Sequence, residues 1–299
     1  MDYKKAINKI VEERISRETD ARLLYLELLK SDNELYETEK AIRSLKMDKV
    51  KGKQVDENAL KDLLVKRSQI LYNKGVTSEM LNPPYKCEKC KDTGLIGGKP
   101  CSCVISKCAN DSMIIQDATF ANADIKLFPE GEQEHITSVY GVAKSFCDKF
   151  PATNKLNLLF MGKCGSGKTY LASCIGNEVS SKGYSVIMLS SFAFFNRMLK
   201  YHTTYDSDKL SFLDPLLDCD LLIIDDLGSE NVFKNVTVEY LFLVINERMT
   251  ANKHTIFTTN LDNEMIRKRY DERTYSRLFG SRQSIGFALS NTDLRKNSG

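Results

Sequence analysis

Eight consecutive residues at 162–169 have the types and spacing of a phosphate-binding loop. Glycines let the backbone wrap around an anion with its N–H groups pointing inward, at the start of a helix whose dipole favours negative charge. In this pattern Lys168 reaches the β- and γ-phosphates of a nucleotide, and the Thr169 hydroxyl is a ligand of Mg²⁺. The predicted nucleotide-binding set is Gly162, Lys163, Cys164, Gly165, Ser166, Gly167, Lys168, Thr169 and Tyr170.

The surroundings of this loop are those that the chemistry requires. A functional G-x-x-x-x-G-K-[ST] motif follows a strand and opens a helix. Here the apolar run Leu158–Met161 precedes the motif, and a helical pattern begins at Thr169. Because glycine makes up about 7% of average protein sequence, a chance match in a chain this long has odds of about one per cent. A glycine-rich turn without function is therefore the weaker interpretation.

Two further strands end in polar residues that fit the same site. Asp225 and Asp226 follow the aliphatic run Leu221–Ile224, and Asn260 follows the run Thr255–Thr259. Since the carboxyl ends of parallel strands share one edge of a sheet, we expect these side chains beside the loop. Asp225 would hold Mg²⁺ directly or through water, Asp226 would polarise the attacking water, and Asn260 would orient it. An acidic turn exposed to solvent is the alternative for the two acids.

A second candidate site is a run of cysteines between residues 87 and 108. The spacing Cys87-x₂-Cys90-x₁₀-Cys101-x-Cys103 offers four thiolates on two short hooks, which suits tetrahedral zinc. Cys108 is a fifth candidate and could replace Cys103. Redox chemistry at Cys87 and Cys90 is disfavoured, because nothing places this pair at a helix start beside a βαβ unit. We expect a structural zinc knuckle whose ligands saturate the metal, without catalysis by it.

Composition sets the broad class. The 299 residues are 42% hydrophobic, and 43 basic and 40 acidic residues leave a net charge of +3. Such a balance gives no overall attraction to nucleic acid, so contact with it needs a local patch. The first residues lack an apolar leader core, and no segment approaches the ~18 apolar residues of a membrane span. We expect a cytoplasmic protein that does not engage membranes. Its remaining cysteines stand singly and are expected to be buried thiols: Cys147, Cys164, Cys174 and Cys219.

Changes in composition along the chain predict four regions. Residues 1–82 are rich in Glu, Lys and Leu with a helical period, and predict two or three amphipathic helices with a turn at 51–53. These helices form either a small bundle or a hairpin that docks on a partner. Residues 83–108 form the knuckle, 109–135 a connector, and 136–299 an α/β domain.

Strands and helices alternate from Asn157 onward. Because parallel strands are joined by crossover helices, the alternation predicts a parallel sheet with helices on both faces. The predicted strands are Leu158–Met161, Val186–Leu189, Leu221–Ile224 and Thr255–Thr259, and the predicted helices are 136–150, 169–181, 191–201 and 236–250.

In order and spacing, the loop, the Asp-Asp strand and the strand-terminal Asn260 resemble the AAA+ ATPases. Details at three places resemble the DnaC/DnaI helicase-loader branch and the related IstB ATPases more narrowly: IIDDLG at 223–228, ERTYSRL at 272–278 and DLR at 293–295. The phrase TFANAD at 119–124 also resembles the connector of these loaders, and the cysteine knuckle resembles that of the DnaI type. The resemblance covers about residues 85–296.

This resemblance implies roles for several residues. Asn260 corresponds to sensor 1, Arg277 to an arginine finger that reaches the ATP of a neighbouring subunit, and Arg295 to sensor 2, which touches the γ-phosphate in cis. A guanidinium there neutralises charge that develops during phosphoryl transfer. Arg273 is a rival to Arg277, and a solvated helix face is the alternative for either. Many AAA+ proteins carry Glu at the position of Asp226, so the shorter side chain implies slow hydrolysis.

The function that the resemblance implies is an ATP-dependent helicase loader. It would use ATP, Mg²⁺ and Zn²⁺, bind the replicative DNA helicase, self-assemble through its ATPase domain and hold single-stranded DNA. The alternatives are an IstB-like ATPase that regulates a transposase, a nucleotide-gated adaptor with little turnover, and a small-molecule P-loop kinase, which would not need Asn260, Arg277 and Arg295. Candidate DNA contacts are basic residues interleaved with aromatic ones, although most of these aromatics are expected to face the core: Phe192, Phe194, Phe195, Arg197, Lys200 and Tyr201.

Overall fold

The computed structural model describes residues 3–108, 113–205, 209–233, 235–280, 282–290 and 292–294. They divide into two compact units, one of residues 7–95 and one of residues 96–299 together with the first six. No helix in these described ranges is long and apolar enough to span a membrane.

The first unit is helical. Its helices are α1 (Tyr3–Ser31), α2 (Asn33–Val50), α3 (Glu57–Asn73) and the single turn α4 (Ser78–Leu81). The apolar residues Leu28, Leu35 and Ile42 recur at sevens, and the chain breaks between the first two. Asp32 takes an extended conformation there, and its side chain accepts a hydrogen bond from the Leu35 N–H, which caps α2.

Helices α2 and α3 form an antiparallel pair. Their ends are matched by ion pairs between Lys74 and Asp32 at 2.9 Å and between Lys49 and Glu57 at 2.6 Å. Exposed pairs of this kind contribute at most about 1 kcal/mol each, so they set register more than stability. The apolar contribution comes from the buried side chains Leu35, Ile42, Leu60 and Leu71.

Short elements follow between residues 95 and 149. They are a two-stranded sheet of β1 (Leu95–Ile96) and β2 (Lys99–Pro100), helix α5 (Ser102–Lys107), a 3₁₀ turn (Ile125–Leu127) and helix α6 (Glu130–Lys149). Helix α6 begins six residues before its predicted start at 136. Pro129 precedes it, and Glu130 and Glu132 lie in its first turn, where acidic side chains favour a helix start.

The second unit is built on one parallel sheet. Its strands are β3 (Asn157–Met161), β4 (Val186–Ser190), β5 (Leu221–Leu227), β6 (His254–Thr259) and β7 (Ser284–Ala288), in the spatial order β4-β5-β6-β3-β7. The four predicted strands all occur within three residues of their predicted ends. Edge strand β7 was not predicted, because its half-exposed SIGFA sequence lacks an apolar run.

Helices cover both faces of this sheet, as predicted. They are α7 (Lys168–Ser181), α8 (Ser191–Thr203), α9 (Leu210–Asp218), α10 (Thr237–Thr250) and α11 (Asn263–Tyr275), and a π-type turn follows at Ser276–Gly280. Alternate residues of β5 point to opposite cores: Leu222 belongs to the core cluster of Phe194 and Val244, whereas Leu221 belongs to that of Val139 and Ile175. A strand buried on both faces needs continuous apolar residues, which explains the LLII sequence of β5.

Candidate nucleotide-binding site

The phosphate-binding loop connects β3 to α7 and takes a shape that glycine permits. A Cβ atom on Gly162 would lie 2.8 Å from Ser166 Oγ and 3.1 Å from the Ser290 carbonyl, so a larger residue does not fit. Gly167 has φ +85° and forms the N-cap of α7, in the left-handed region that glycine adopts at little cost. The loop therefore presents the N-terminus of α7 to the space above the sheet.

Lys168 turns back into this loop. Its ammonium donates to the Gly162 and Lys163 carbonyls at 2.8 and 2.7 Å and to Asn260 Oδ1 at 2.8 Å. The residue is only 6% exposed. The structure thus brings the lysine of the loop and the asparagine at the end of β6 together, although 92 positions separate them in the chain.

Thr169 and Asp225 also meet. The Thr169 hydroxyl lies 3.0 Å from both carboxylate oxygens of Asp225, and the Thr258 hydroxyl donates to Asp225 Oδ1 at 2.6 Å. A hydroxyl and a carboxylate facing one point are the oxygen ligands that Mg²⁺ accepts. The side chains present therefore fit the metal predicted for these two residues.

Asp226 lies on the other side of Asn260. Its Oδ1 accepts a hydrogen bond of 2.6 Å from Asn260 Nδ2, so the amide bridges the Lys168 ammonium and the Asp226 carboxylate. The backbone of Asp226 has φ +56°, a sparsely populated conformation for a residue other than glycine. Such backbone strain is concentrated at functional sites, and here it accompanies a carboxylate at the sheet edge beside the loop.

A cavity of about 550 Å³ lies over these residues. Its polar lining includes the loop with Asp225, Asp226 and Asn260, and Tyr170 also lines it. The remaining lining is largely apolar, and most of it comes from the region predicted as a connector. This contribution was missed because short apolar positions between turns resemble any linker. The apolar and connector residues that line the cavity are Ile115, Asn122, Ala123, Asp124, Leu127, Phe128, Tyr140 and Leu294.

A cavity that is lined by both apolar side chains and a phosphate-binding loop is what a nucleotide requires. Apolar side chains suit a base, and the N–H groups and ammonium of the loop suit a chain of phosphates. Leu294 is held at this place by its backbone N–H, which donates to the Gly165 carbonyl at 3.0 Å.

The candidate finger arginines lie elsewhere. Arg273 and Arg277 are both exposed, and neither is among the described residues that line the cavity. Arg273 is held by Asp271 at 3.3 Å and Glu239 at 3.6 Å, whereas Arg277 offers its carbonyl to Asn157 and Ser284. Arg295, the predicted sensor 2, lies outside the described residues.

The predicted DNA contacts on α8 need correction. Phe194 and Phe195 are buried in the core, so neither can stack on a base. Arg197 donates to the Phe212 and Ser211 carbonyls at 2.6 and 3.0 Å. Phe192 and Lys200 remain exposed, while Tyr201 packs edge-on against Tyr240. The helix places its aromatic stripe on the sheet, which is the usual outcome for such a pattern.

The cysteine knuckle brings the four predicted sulfurs together. The Sγ atoms of Cys87, Cys90, Cys101 and Cys103 all lie within 4.8 Å of one another. Tetrahedral zinc with Zn–S bonds near 2.3 Å needs sulfurs about 3.8 Å apart, so this cluster fits the metal after a small contraction. Cys108 is buried and does not belong to the group.

Asp92 organises the first hook of the knuckle. Its carboxylate accepts hydrogen bonds from the backbone N–H groups of Lys86 at 3.0 Å and Cys87 at 2.8 Å, and pairs with Arg17 at 2.6 Å. Burial by itself would raise the pKa of Asp92, but these bonds hold it below its ordinary value. The sequence places Asp92 in a tight turn of the knuckle, but its pairing with Arg17, 75 positions away, could not be predicted from it.

Replacing Cys90 by serine should release the zinc. The wild-type protein should carry about one zinc per chain, since a small segment with few apolar residues gains its folding free energy from the metal. Mass spectrometry under native conditions would measure zinc content in both. Cys108→Ser is the matched control and should keep the metal. Should Cys108→Ser lose zinc while Cys103→Ser keeps it, Cys108 is the fourth ligand.

Three of the remaining cysteines are buried, as predicted, and one is not. Burial raises the pKa of the Cys147 and Cys174 thiols to about 12, and it also raises that of Cys219. These thiols stay protonated and unreactive near neutral pH. Cys164 is instead exposed within the phosphate-binding loop, because the loop leaves the sheet before α7 begins.

The parallel sheet, the loop and the polar residues at its edge define a P-loop nucleotide-binding protein of the AAA+ type. The chain belongs to the IstB-like ATP binding protein family, whose model matches residues 106–275. This match covers more than half of the chain and includes the loop and the strands β3 to β6.

The chain is also similar to several named proteins. Over 138 residues the chain is 32% identical to the uncharacterized protein YdaV of Escherichia coli K12, covering 46% of this chain and 54% of that one. Over 165 residues it is 26% identical to the replicative helicase loader DnaC of the same organism, covering 54% and 63%. The crystal structure of DnaI is 22% identical with a TM-score of 0.49, covering 59% and 93%.

The predicted resemblance to the DnaC, DnaI and IstB proteins is thereby confirmed. The chain spans between 54% and 63% of the length of the two curated relatives named here.

Proposed function

We propose that this protein is an ATP-dependent helicase loader that binds the replicative DNA helicase and helps to place it on single-stranded DNA. The observation that carries the proposal is the convergence of Lys168, Asn260 and Asp226, and of Thr169 and Asp225, on one nucleotide-sized cavity. The family relation to a protein named as a replicative helicase loader supplies the kind of partner.

The residues of the site divide the work of ATP hydrolysis between them. Loop N–H groups and Lys168 hold the phosphates, with the ammonium balancing charge on the β- and γ-groups. Thr169 and Asp225 would hold Mg²⁺, which when bound would neutralise charge on the phosphate oxygens. Asp226 would take a proton from the water as its oxygen attacks the γ-phosphate, and Asn260 holds that carboxylate through a hydrogen bond of 2.6 Å. An aspartate reaches less far than a glutamate, so we expect slow turnover that acts as a timer.

Completion of the site requires a second copy. A guanidinium that balances transition-state charge is absent from the described lining of the cavity, and Arg277 and Arg273 are exposed on the same unit. Head-to-tail assembly through the ATPase unit would bring one of these arginines to the neighbour's γ-phosphate. Hydrolysis would then depend on assembly and on whatever stabilises it, including DNA.

The helical unit is the proposed grip on the helicase. Helix α1 exposes Ile15, Leu23 and Leu26, with 56%, 54% and 43% of their surface accessible. At 100° per residue Ile15 and Leu26 lie about 20° apart around the helix and Leu23 lies within about 80° of both, so the three share one side of the helix. Exposed apolar side chains aligned on a helix are typical of a face that packs on a partner helix.

One alternative partner is favoured by a specific finding. The family model that matches is that of IstB-like proteins, and an IstB-like ATPase would regulate a transposase with the same nucleotide chemistry. A nucleotide-gated adaptor with little turnover is a further possibility. The ATPase rate with and without single-stranded DNA separates the adaptor, which would show little change, from the two ATPases.

The partner is tested by binding. Purified replicative helicase from the same source should bind the protein, measured by biolayer interferometry, and should be loaded onto circular single-stranded DNA only with ATP. Leu26→Asp should weaken helicase binding at least about tenfold, because a charge at a packed apolar position costs more than about 1.4 kcal/mol. Glu27→Ala, an exposed neighbour on α1, is the control and should bind normally. Binding to a transposase with none to the helicase would contradict the proposal.

A further inference from the structure

Glu230 is a buried carboxylate just beyond the strand that carries the two site aspartates. Its side chain is 1% exposed. Oε1 accepts hydrogen bonds from Arg269 Nε at 2.9 Å and from the Tyr270 hydroxyl at 2.5 Å, and Oε2 accepts one from the Gly228 N–H at 2.8 Å. Arg269 also donates to the Glu230 carbonyl. This one residue therefore ties the turn after β5 to helix α11.

Burying the charge of Glu230 costs free energy that an apolar side chain at this position would not cost. Burial would raise its pKa, but the Tyr270 hydroxyl, the Gly228 N–H and Arg269 together hold the pKa below its ordinary value. A buried ion pair is often no more stabilising than an apolar pair of the same shape. Compared with an apolar contact, such a pair also fixes the orientation of its partners, because each hydrogen bond holds a donor and an acceptor in a defined geometry.

The turn that Glu230 holds is continuous with the nucleotide site. The Ser229 N–H donates to the Asp226 carbonyl at 3.1 Å, and the Ser191 hydroxyl donates to the same carbonyl at 2.9 Å. The Asp226 carboxylate in turn contacts Asn260. A displacement of Asp226 would move the backbone to which Glu230 belongs.

Helix α11, which Glu230 ties to the turn after β5, leads to the two candidate arginine fingers. Directly after Tyr270, the helical path of α11 is interrupted at Asp271, with φ 75° and ψ 166°. The Asp271 carboxylate accepts the Thr274 N–H at 2.8 Å and so caps a new short segment. Arg273 and Arg277 lie on this segment and the turn that follows it. Before the break, the helix is anchored to Glu230 through Arg269 and Tyr270.

We infer that Glu230 is a positioning residue that couples a subunit's own nucleotide site to the arginine it presents to the neighbouring copy. The inference rests on the proposed function, because it assumes a finger acting between copies. Glu230 touches no nucleotide; it holds the segment bearing Arg277 in register with β5. Its loss should leave the subunit able to bind ATP but unable to support ATP hydrolysis in the neighbouring subunit.

Glu230→Gln tests this coupling while keeping the side-chain shape. ATP affinity should stay within about twofold, since no residue of the cavity is altered. Steady-state ATPase at concentrations that permit assembly should fall at least about tenfold. Lys268→Gln is the matched control, because Lys268 lies on the same helix and its side chain is exposed. It should retain full turnover.

Mixing experiments locate the defect. The reference pair is Arg277→Ala mixed with Lys168→Ala, in which one subunit supplies the loop and the other the finger. Glu230→Gln mixed with Lys168→Ala should recover activity like the reference pair, since the Lys168→Ala subunit brings an intact finger. Glu230→Gln mixed with Arg277→Ala should not recover, because neither subunit presents a working finger. A merely structural role would not produce this asymmetry.

The outcomes separate this inference from the proposed function. If the reference pair recovers but Glu230→Gln with Lys168→Ala does not, Glu230 serves its own nucleotide site and only the inference is overturned. If the reference pair recovers no activity although assembly is confirmed, Arg277 is not a finger that acts between copies, and the inference is wrong as well. Should Glu230→Gln not fold, Arg269→Gln removes the other charge from a partly exposed position and must show the same asymmetry.

Discussion

Replacing Lys168 by alanine should weaken ATP binding by about a hundredfold or more. We expect the ammonium to contact the β- and γ-phosphates when nucleotide binds, and charge-assisted hydrogen bonds contribute about 1.5–3 kcal/mol each. Losing two of them costs about 3 kcal/mol, which is roughly a hundredfold in Kd. A titration with a fluorescent ATP analogue measures this directly. Unchanged affinity would falsify the nucleotide site as described.

Lys182→Ala is the matched control for that titration. Lys182 lies at the opposite end of α7, where its ammonium donates to the Cys147 carbonyl at 2.7 Å. It removes the same side chain from the same helix without touching the cavity. Nucleotide affinity should be unchanged in this variant, and thermal unfolding of both variants should show that each is folded.

Arg277→Ala should lower ATP turnover by about a hundredfold while leaving ATP affinity nearly intact. Removing one preorganised donor from a transition-state charge costs about that much in kcat, and Arg277 touches no part of its own cavity. Equal mixing with Lys168→Ala should restore up to about a quarter of wild-type turnover, because random head-to-tail contacts pair an intact loop with an intact finger in about one contact of four. Steady-state ATPase against protein concentration is the measurement.

Arg273→Ala distinguishes the two candidate fingers. The Arg273 guanidinium lies over the Phe242 ring at 5.0 Å and pairs with Asp271 and Glu239. These contacts hold it against its own subunit, so its removal should reduce turnover less than the removal of Arg277. The opposite ranking of the two variants would assign the finger to Arg273.

The central sheet could be predicted because its signals are local. The runs before Gly162, Asp225 and Asn260 are apolar, and strands buried on both faces are written in sequence as such runs. The phosphate-binding loop and its lysine could be predicted because the G-x-x-x-x-G-K-[ST] spacing serves to bind phosphate. The meeting of Lys168 with Asn260 also followed, since parallel strands end at a common edge.

Other parts depended on contacts between distant residues. Leu127 and Phe128 line the cavity only because the chain before α6 passes over the loop. In the sequence, Glu230 resembles a residue of an ordinary surface turn. It is buried because it contacts Arg269 and Tyr270, about forty positions away. The break at Asp271 is likewise invisible, because the flanking residues favour a helix and the cap forms only after folding. Periodicity reports which face is buried, not which polar atoms meet there.

The order of strands in the sheet also bears on how the protein is made. Strand β3, which carries the phosphate-binding loop, pairs on one side with β6 and on the other with β7. Asn157 and Ser284, which face each other across the second pairing, lie 127 positions apart. During synthesis both edges of the apolar strand β3 therefore remain unpaired until most of the second unit has left the ribosome. Such distant pairings fold slowly and expose strand edges to aggregation. We expect nascent chains to need chaperone protection, which would make soluble yield depend on translation rate and growth temperature.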